Sequence, residues 1–412
     1  MSLCASTSSP ELSLYHLLED EIREDPYPLY DRLRREDPVH WDPYLHAWVV
    51  TRYADAVQVM QYFRAQRMPT PEYLAAKDLA ELNPIAEVMV RQMIFMDPPS
   101  HTRIRALAAA AFSPARVDKL RAHIQEVTDA FIDAVAPAGR MDVIADLADL
   151  LPATITAELM GIPAADRDRL KMLSLRFSEM LGNFQHNPGR ATAMLETVEE
   201  MSAYFYEQLK QQRSKPREGV VRDIMQAEIE GDRLSDAEVV ANCIITLTGG
   251  LETTTNLIGN GLLSLLRNPQ EFTRLKESPA LLPSAIEELL RFESPIQQTA
   301  RLAPHDLTLG ERRIRESDAV IAVIGAANRD PERFPDPDRL DLGRPDNRHL
   351  AFAWGPHYCF GAPLARVEAQ IVFRTIIRRL RNLALASFSP RWRNNMTFRG
   401  LEVLPVTFEP AG

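Results

Sequence analysis

Between Ser235 and Arg267 the chain carries the pattern of one long helix, and a helix of that length limits what can be built around it. Ser235-Asp236-Ala237-Glu238 has the form of a capping box, in which a serine and a glutamate three residues on satisfy each other's backbone amides. Apolar periodicity then runs on to Asn268-Pro269, where proline cannot continue it. At about 1.5 Å per residue this helix extends roughly 50 Å, enough to cross a whole domain. Yet Gly249-Gly250 stands in its middle, each glycine costing on the order of 1 kcal/mol against alanine. Close approach of a flat ligand is one reason to keep such a pair. Leu251-Glu252-Thr253-Thr254-Thr255 follows. The Thr253 hydroxyl can bond the Gly249 carbonyl and open the helix locally into a groove. A buried Glu252 would need hydrogen bonds, and carboxylates in such places often carry protons. Taken alone, these residues also fit helix-end chemistry or a solvated stripe.

The rest of the chain predicts a mainly α fold with a smaller β subdomain. Helical patterns cover residues 25–35, 53–60, 114–135, 143–160, 164–181, 188–213, 283–292 and 362–380, while strand patterns fall at 39–41, 47–50, 307–309, 319–324 and in the tail. Residues 68–95 mix Met, Leu, Ile and Val without a steady period. Across 412 residues no linker, repeat or low-complexity tract divides the chain, which predicts a single domain over 1–412 with a flexible N-terminus over 1–20. A net charge of -10 without a basic tract argues against a nucleic-acid binder. Cys4, Cys243 and Cys359 are too few and scattered for a disulfide framework, which suits a reducing cytoplasm. The N-terminal residues have neither a basic start nor an apolar run, so a soluble enzyme without a membrane anchor is expected.

Chemistry concentrates at Phe352-Ala-Trp-Gly-Pro-His-Tyr-Cys-Phe-Gly361, which runs into Ala362-Pro363. Pro363 suits a first helical turn, and the helix start that follows would lower the pKa of Cys359 toward a metal-binding thiolate. Gly355 and Gly361 let the backbone turn or lie against a flat body, Phe352 offers an aromatic wall, and His357 can bond an anionic edge. Upstream, His101 and Arg105 stand four apart behind Pro98-Pro99, on one helical face that can bind a carboxylate or simply be solvated. Glu288 and Arg291 face one side of a short helix.

Phe-x-x-Gly-x-His-x-Cys-x-Gly resembles the haem-binding loop of the cytochrome P450 family, the haem-thiolate monooxygenases. The family usually has glycine where Ala353 stands, and Trp354 is bulkier than is common there. Gly-Gly-Leu-Glu-Thr-Thr resembles its oxygen-activation motif, Glu288-x-x-Arg291 its structural signature, and the motifs fall in the family's order. The resemblance implies the family's triangular fold and one non-covalent haem b, with Cys359 as the iron ligand. His101, Arg105, Arg301 and His357 would meet the haem carboxylates, and Gly249, Phe352 and Gly361 the ring. Thr253 and Glu252 would be catalytic. Arg339 would join Glu288 and Arg291 in a structural group. Phe95, Phe184, Ile245, Ile296 and Phe398 would wall the substrate pocket, and the corner from Phe177 to Phe184 would be either core packing or a mobile lid. The implied reaction is insertion of an oxygen atom from O2 into a lipophilic small molecule, as hydroxylation or epoxidation, by a cytoplasmic monomer fed by a ferredoxin and ferredoxin reductase. A haem-thiolate peroxygenase or isomerase would have no need of Glu252 and Thr253; a haem sensor would make no product. The sequence does not name the substrate.

Overall fold

The capping box forms as its residues dictate, with the Ser235 hydroxyl accepting from the Glu238 amide (3.3 Å) and the Glu238 carboxylate accepting from the Ser235 amide (2.8 Å). The computed structural model describes residues 12–109, 112–183, 190–229, 232–386 and 390–410. In chain order its main elements are α1 (Tyr27–Glu36), the hairpin β1 (Val39–Asp42) and β2 (Ala47–Val50), α2 (Tyr53–Tyr62), α3 (Ser100–Ala109), α4 (Arg121–Val135), β3 (Arg140–Asp142), α5 (Leu151–Met160), α6 (Arg167–Asn183), α7 (Ala191–Ser214), α8 (Asp236–Arg267), α9 (Leu282–Phe292), β4 (Gln298–Leu302), β5 (Ala319–Val323), α10 (Ala362–Arg379), β6 (Leu380–Leu385) and β7 (Pro405–Pro410). Shorter turns of helix and strand join them.

Helix α8 is the axle of the helical part and packs against α5, α6, α7, α9 and α10. Helix α9 shows why: Leu282, Ala285, Ile286, Leu289 and Leu290 recur at helical spacing and are all buried. Each such leucine or isoleucine contributes about 1.5–3 kcal/mol by leaving water. The β part is a four-stranded sheet in the order β1-β2-β5-β4, with β2 and β5 parallel and the outer pairs antiparallel. A second antiparallel sheet, β6-β7-β3, ties the tail back to the helices.

Three local expectations change. Residues 12–20 are ordered, because the buried Asp42 carboxylate accepts from the Ser13 hydroxyl and the Leu14 amide (2.9 Å each) and Leu14 is fully buried. The same carboxylate accepts from the Tyr44 and Leu45 amides (3.0 and 3.1 Å), so one side chain both shapes the hairpin turn and pins the N-terminal segment. The pattern over 114–135 is two helices, Pro114–Lys119 and α4, and the pattern over 143–160 is a wide turn at Ile144–Ala148 followed by α5. Pro152 sits in the first turn of α5, where a missing amide costs nothing. The aperiodic stretch before Phe95 holds two short helices, Pro71–Ala75 and Asn83–Met89. Asn242 of α8 anchors it, accepting from the Met93 amide and donating to the Arg91 carbonyl (2.9 Å each). Phe177 and Met180 are buried core residues, as plain packing requires; Phe184 lies outside the described residues.

Candidate active site

From Val239 to Leu265, α8 is buried at every position except Ile245, Gly249, Gly250 and Thr253. Residues 245, 249 and 253 are spaced by four, so they form one stripe on one face. The two glycines serve different ends. A Cβ on Gly249 would meet no atom within 4 Å, whereas one on Gly250 would sit 2.7 Å from the Thr156 hydroxyl of α5. Gly250 therefore permits helix packing, and Gly249 leaves the stripe flat. Thr253 donates to the Gly249 carbonyl at 2.7 Å, as its spacing predicts. The helix nonetheless continues unbroken from Asp236 to Arg267, so the expected local opening is not formed: the hydroxyl bond is added to the helix rather than replacing part of it.

Glu252, one residue earlier, points elsewhere because adjacent helical residues are rotated by about 100°. It is buried, and its surroundings are Ser178 and Glu179 of α6, Asp149 and Arg393. Burial holds its carboxyl above the ordinary range, with Asp149 and Glu179 pushing the same way and Ser178 and Arg393 opposing. Ser178 lies beside it, but its hydroxyl and Glu252 Oε2 make no hydrogen bond of acceptable geometry. Asp149 in turn pairs with Arg393 (3.3 Å) and Lys171 (3.7 Å), all three partly open to water.

The cysteine loop is tightened by the Cys359 amide donating to the Phe352 carbonyl at 2.9 Å. Gly355 takes φ +69°, a left-handed conformation that glycine enters freely, and a Cβ there would lie 3.1 Å from the Gln61 backbone. Ala353 adopts φ 60°, a left-handed conformation that suits the glycine more usual there. Gly361 has no such need; a Cβ would rest in ordinary contact with the Cys359 sulfur, at 3.7 Å. Behind the loop, Arg366 forks onto Glu287 (2.8 and 2.7 Å), donates to the Tyr358 hydroxyl and lies 4.5 Å over the Phe352 ring. The Cys359 residue is exposed on one side, yet protein crowds the rest of the thiol and pushes its pKa up. Amides of Gly361 and Ala362, then Arg105 and Arg366, pull the other way without winning. The start of α10 alone thus does not make the thiolate; a coordinated cation would.

Beside this loop three segments bring cationic groups together. His101 and His357 place their rings 4.1 Å apart. Arg105, one turn on from His101, donates to the Tyr358 carbonyl. Arg301 is buried and donates to Thr299 Oγ1 and the Ala300 carbonyl (2.9 and 2.8 Å). His101 Nε2 and Arg301 Nε are buried without a partner. Burial first, then Arg301, His101, Arg105 and Arg67, drives the His357 pKa down to about 3. His101 is lowered by burial and by Arg105. Arg67 belongs to this group and no sequence signal marked it, since it precedes the aperiodic stretch.

A family model described as cytochrome P450 matches residues 72–387. The chain is 34% identical over 412 residues to the biotin biosynthesis cytochrome P450 of Bacillus subtilis, covering 99% of this chain and 100% of that protein. It is 38% identical over 398 residues to cytochrome P450 107B1 of Saccharopolyspora erythraea, covering 94% and 96%. The crystal structure of P450BioI in complex with hexadec-9Z-enoic acid ligated acyl carrier protein superposes with a TM-score of 0.89 at 34% identity, covering 95% of this chain and 99% of that one. The chain belongs to the cytochrome P450 family. It is a haem-dependent monooxygenase of the bacterial type, acting on lipophilic molecules with haem b as cofactor.

The residues of this P450 fit that cofactor on three counts: the flat stripe at Gly249, the open side of Cys359, and buried unpartnered donors on His101 and Arg301. One expected residue is displaced. Arg291 forks onto Glu288 (2.8 Å twice), both fully buried, but the third member is Arg344, which donates to both Glu288 oxygens at 3.1 and 3.2 Å. The Arg339 side chain is 66% exposed and pairs with Asp341 at 3.8 Å, and what it offers the Glu288 group is its backbone carbonyl, accepting from Arg291 and Arg344. The chain turns at Asp336 and Asp346, both in left-handed conformations, and Asp341 and Asn347 donate to Glu288 between and beyond these turns. That path brings Arg344 inward and leaves Arg339 outside. Of the pocket residues, Ile245 lies on the α8 stripe, Ile296 and Phe398 form a β-bridge to each other, and Phe95 is buried beneath Arg67. Among the described residues no helix is long and apolar enough to cross a membrane.

Proposed function

We propose that this P450 holds haem between the Cys359 loop and the α8 stripe and oxidises a lipophilic small molecule by hydroxylation or epoxidation. The observation that carries the reading is the stripe of Ile245, Gly249 and Thr253, the open part of an otherwise buried helix. Haem, when bound, supplies the iron at which O2 is reduced and split. Cys359 would ligate that iron as the thiolate, the metal displacing the thiol proton. Arg105 and Arg301 would pair with the haem carboxylates, and His101 and His357 would bond them as neutral imidazoles. Phe352 and Gly361 would face one side of the ring and Gly249 the other.

Thr253 holds a proton at the open stripe, while Glu252 moves protons in from the α6 side, where Asp149, Lys171 and Arg393 reach water. Ile245, Ile296, Phe398 and Phe95 wall the substrate pocket. We take the whole of 1–412 as one domain working as a monomer in the cytoplasm. Electrons come from a ferredoxin and its reductase, since three scattered cysteines cannot hold an iron–sulfur cluster alongside the haem ligand. The relative solved with a carrier-bound hexadecenoic acid makes extended acyl chains the first compounds to screen by spectral shift.

The test is the coupling of NADH use to product. Thr253→Ala should bind haem and substrate and consume NADH, while product falls by about 10²-fold or more and free hydrogen peroxide rises. Unchanged coupling in that variant removes the hydroxyl from the mechanism.

A further inference from the structure

We propose that Arg67 is a third guanidinium of the cofactor's carboxylate site, supplying with Arg105 and Arg301 the positive charge that two propionates require. This rests on the haem reading above. The geometry begins with Arg64, whose backbone exchanges two hydrogen bonds with Leu302 (2.9 Å each), so the loop carrying Arg67 lies alongside Arg301. The Asp97 carboxylate accepts from the Ala65 and Gln66 amides (2.8 and 3.1 Å) and fixes the same loop to the segment that leads into His101. Arg67 itself donates to the Ala65 carbonyl (3.1 Å), and its guanidinium lies 4.6 Å over the Phe95 ring. It is thereby held where the three cation-bearing segments meet.

Charge decides what it is for. The Asp97 carboxylate, with one negative charge, acts on both Arg67 and Arg301 and favours their charged forms against burial. Three guanidinium groups, on Arg67, Arg105 and Arg301, stand against the Asp97 carboxylate, so at least two cations are in excess before either imidazole is counted. Haem b carries two carboxylates, so the excess is the charge it brings. Crowding of like charges shows in Arg67 itself, whose pKa burial and Arg301 lower to about 9. Cations crowded together with too little negative charge are unfavourable, and an arriving carboxylate relieves them.

The full-length apoprotein is titrated with haem and with haem dimethyl ester, which has the same ring and iron but no carboxylates. Release of each into an excess of a haem-scavenging globin is then timed. Arg67→Gln should release haem about 10-fold faster or more than wild type, as expected for loss of a charge-assisted bond. It should release the ester at the wild-type rate, and Arg67→Lys should fall between wild type and Arg67→Gln for haem. Equal effects on haem and ester would reduce Arg67 to packing against Phe95 and overturn the proposal. So would wild-type haem retention in Arg67→Gln together with loss of the spectral shift for a long-chain carboxylic acid, which would move Arg67 to the substrate. A wild-type chain that takes up neither compound would overturn the cofactor reading itself.

Discussion

Two buried groups of charged residues lie on the Cys359 side of the molecule, and they differ in completeness. Around Glu288, Arg291 donates to both carboxylate oxygens and to the Asn328 and Pro337 carbonyls, Arg344 donates to both oxygens again, and the Asp341 amide and Asn347 amide group complete the shell. Around His101, the arginines Arg67, Arg105 and Arg301 stand against the Asp97 carboxylate, which is taken up by the Ala65 and Gln66 amides, and donors on His101 and Arg301 stay unpaired. A completed ionic group is architecture: each member is held by the others and nothing further is needed. An incomplete one is a site, since its unpaired donors are affordable only if a ligand supplies what is missing. Glu252 is incomplete in the same way, since its Oε2 has no partner.

Substitutions that break the complete group should cost the most. Arg291→Ala leaves Glu288 buried without its main partner, and about 3–5 kcal/mol of stability should go, with haem-free or aggregated protein on expression. Arg344→Ala should cost less, about 1–3 kcal/mol, because Arg291 still neutralises the carboxylate. Arg339→Ala should stay within about 0.5 kcal/mol. Denaturant midpoints rank the three, and a large loss in Arg339→Ala would restore that residue to the group.

The incomplete groups should respond in the opposite sense. Glu252 has its pKa raised by burial, so the folded state keeps that proton to higher pH than the unfolded chain does. Stability then falls as pH rises from the ordinary carboxylate range through the raised value. Glu252→Gln should therefore match wild type in acid, where both are neutral, and exceed it at neutral pH and above. A variant less stable than wild type at neutral pH would show that Glu252 is paired after all. The smallest effect concerns the backbone of the cysteine loop, where Ala353 takes a conformation that glycine enters freely. Ala353→Gly should gain about 0.5–1 kcal/mol, the relief of strain less the entropy that glycine loses on folding. A loss there would mean that the alanine methyl packs usefully.

What could be read from the sequence was what local chemistry decides. The Ser235 capping box, the hairpin at 47–50 and the Thr253 to Gly249 bond depend on residues a few positions apart, and each forms. The roles of Gly249 and Gly250 were only half legible, because helix packing against Thr156 is a long-range fact. Arg344 and Arg67 were not legible at all. Both lie in irregular segments whose return path, set by left-handed turns and by the Asp97 cap, has no period to reveal which arginine faces inward. The expected lowering of the Cys359 pKa failed for a related reason: the helix start was visible, but the crowding around the thiol was not.

The central claim is that Cys359 is the iron ligand, and the absorption spectrum of the reduced protein under carbon monoxide tests it most directly. Wild type should give the red-shifted band of a thiolate-ligated haem, and Cys359→His, purified and reconstituted with haem, should lose that band while still binding carbon monoxide. Cys243 cannot take over, since it is buried within α8 and burial pushes its pKa up to about 12. A Cys359→His protein that keeps the red-shifted band would contradict the account.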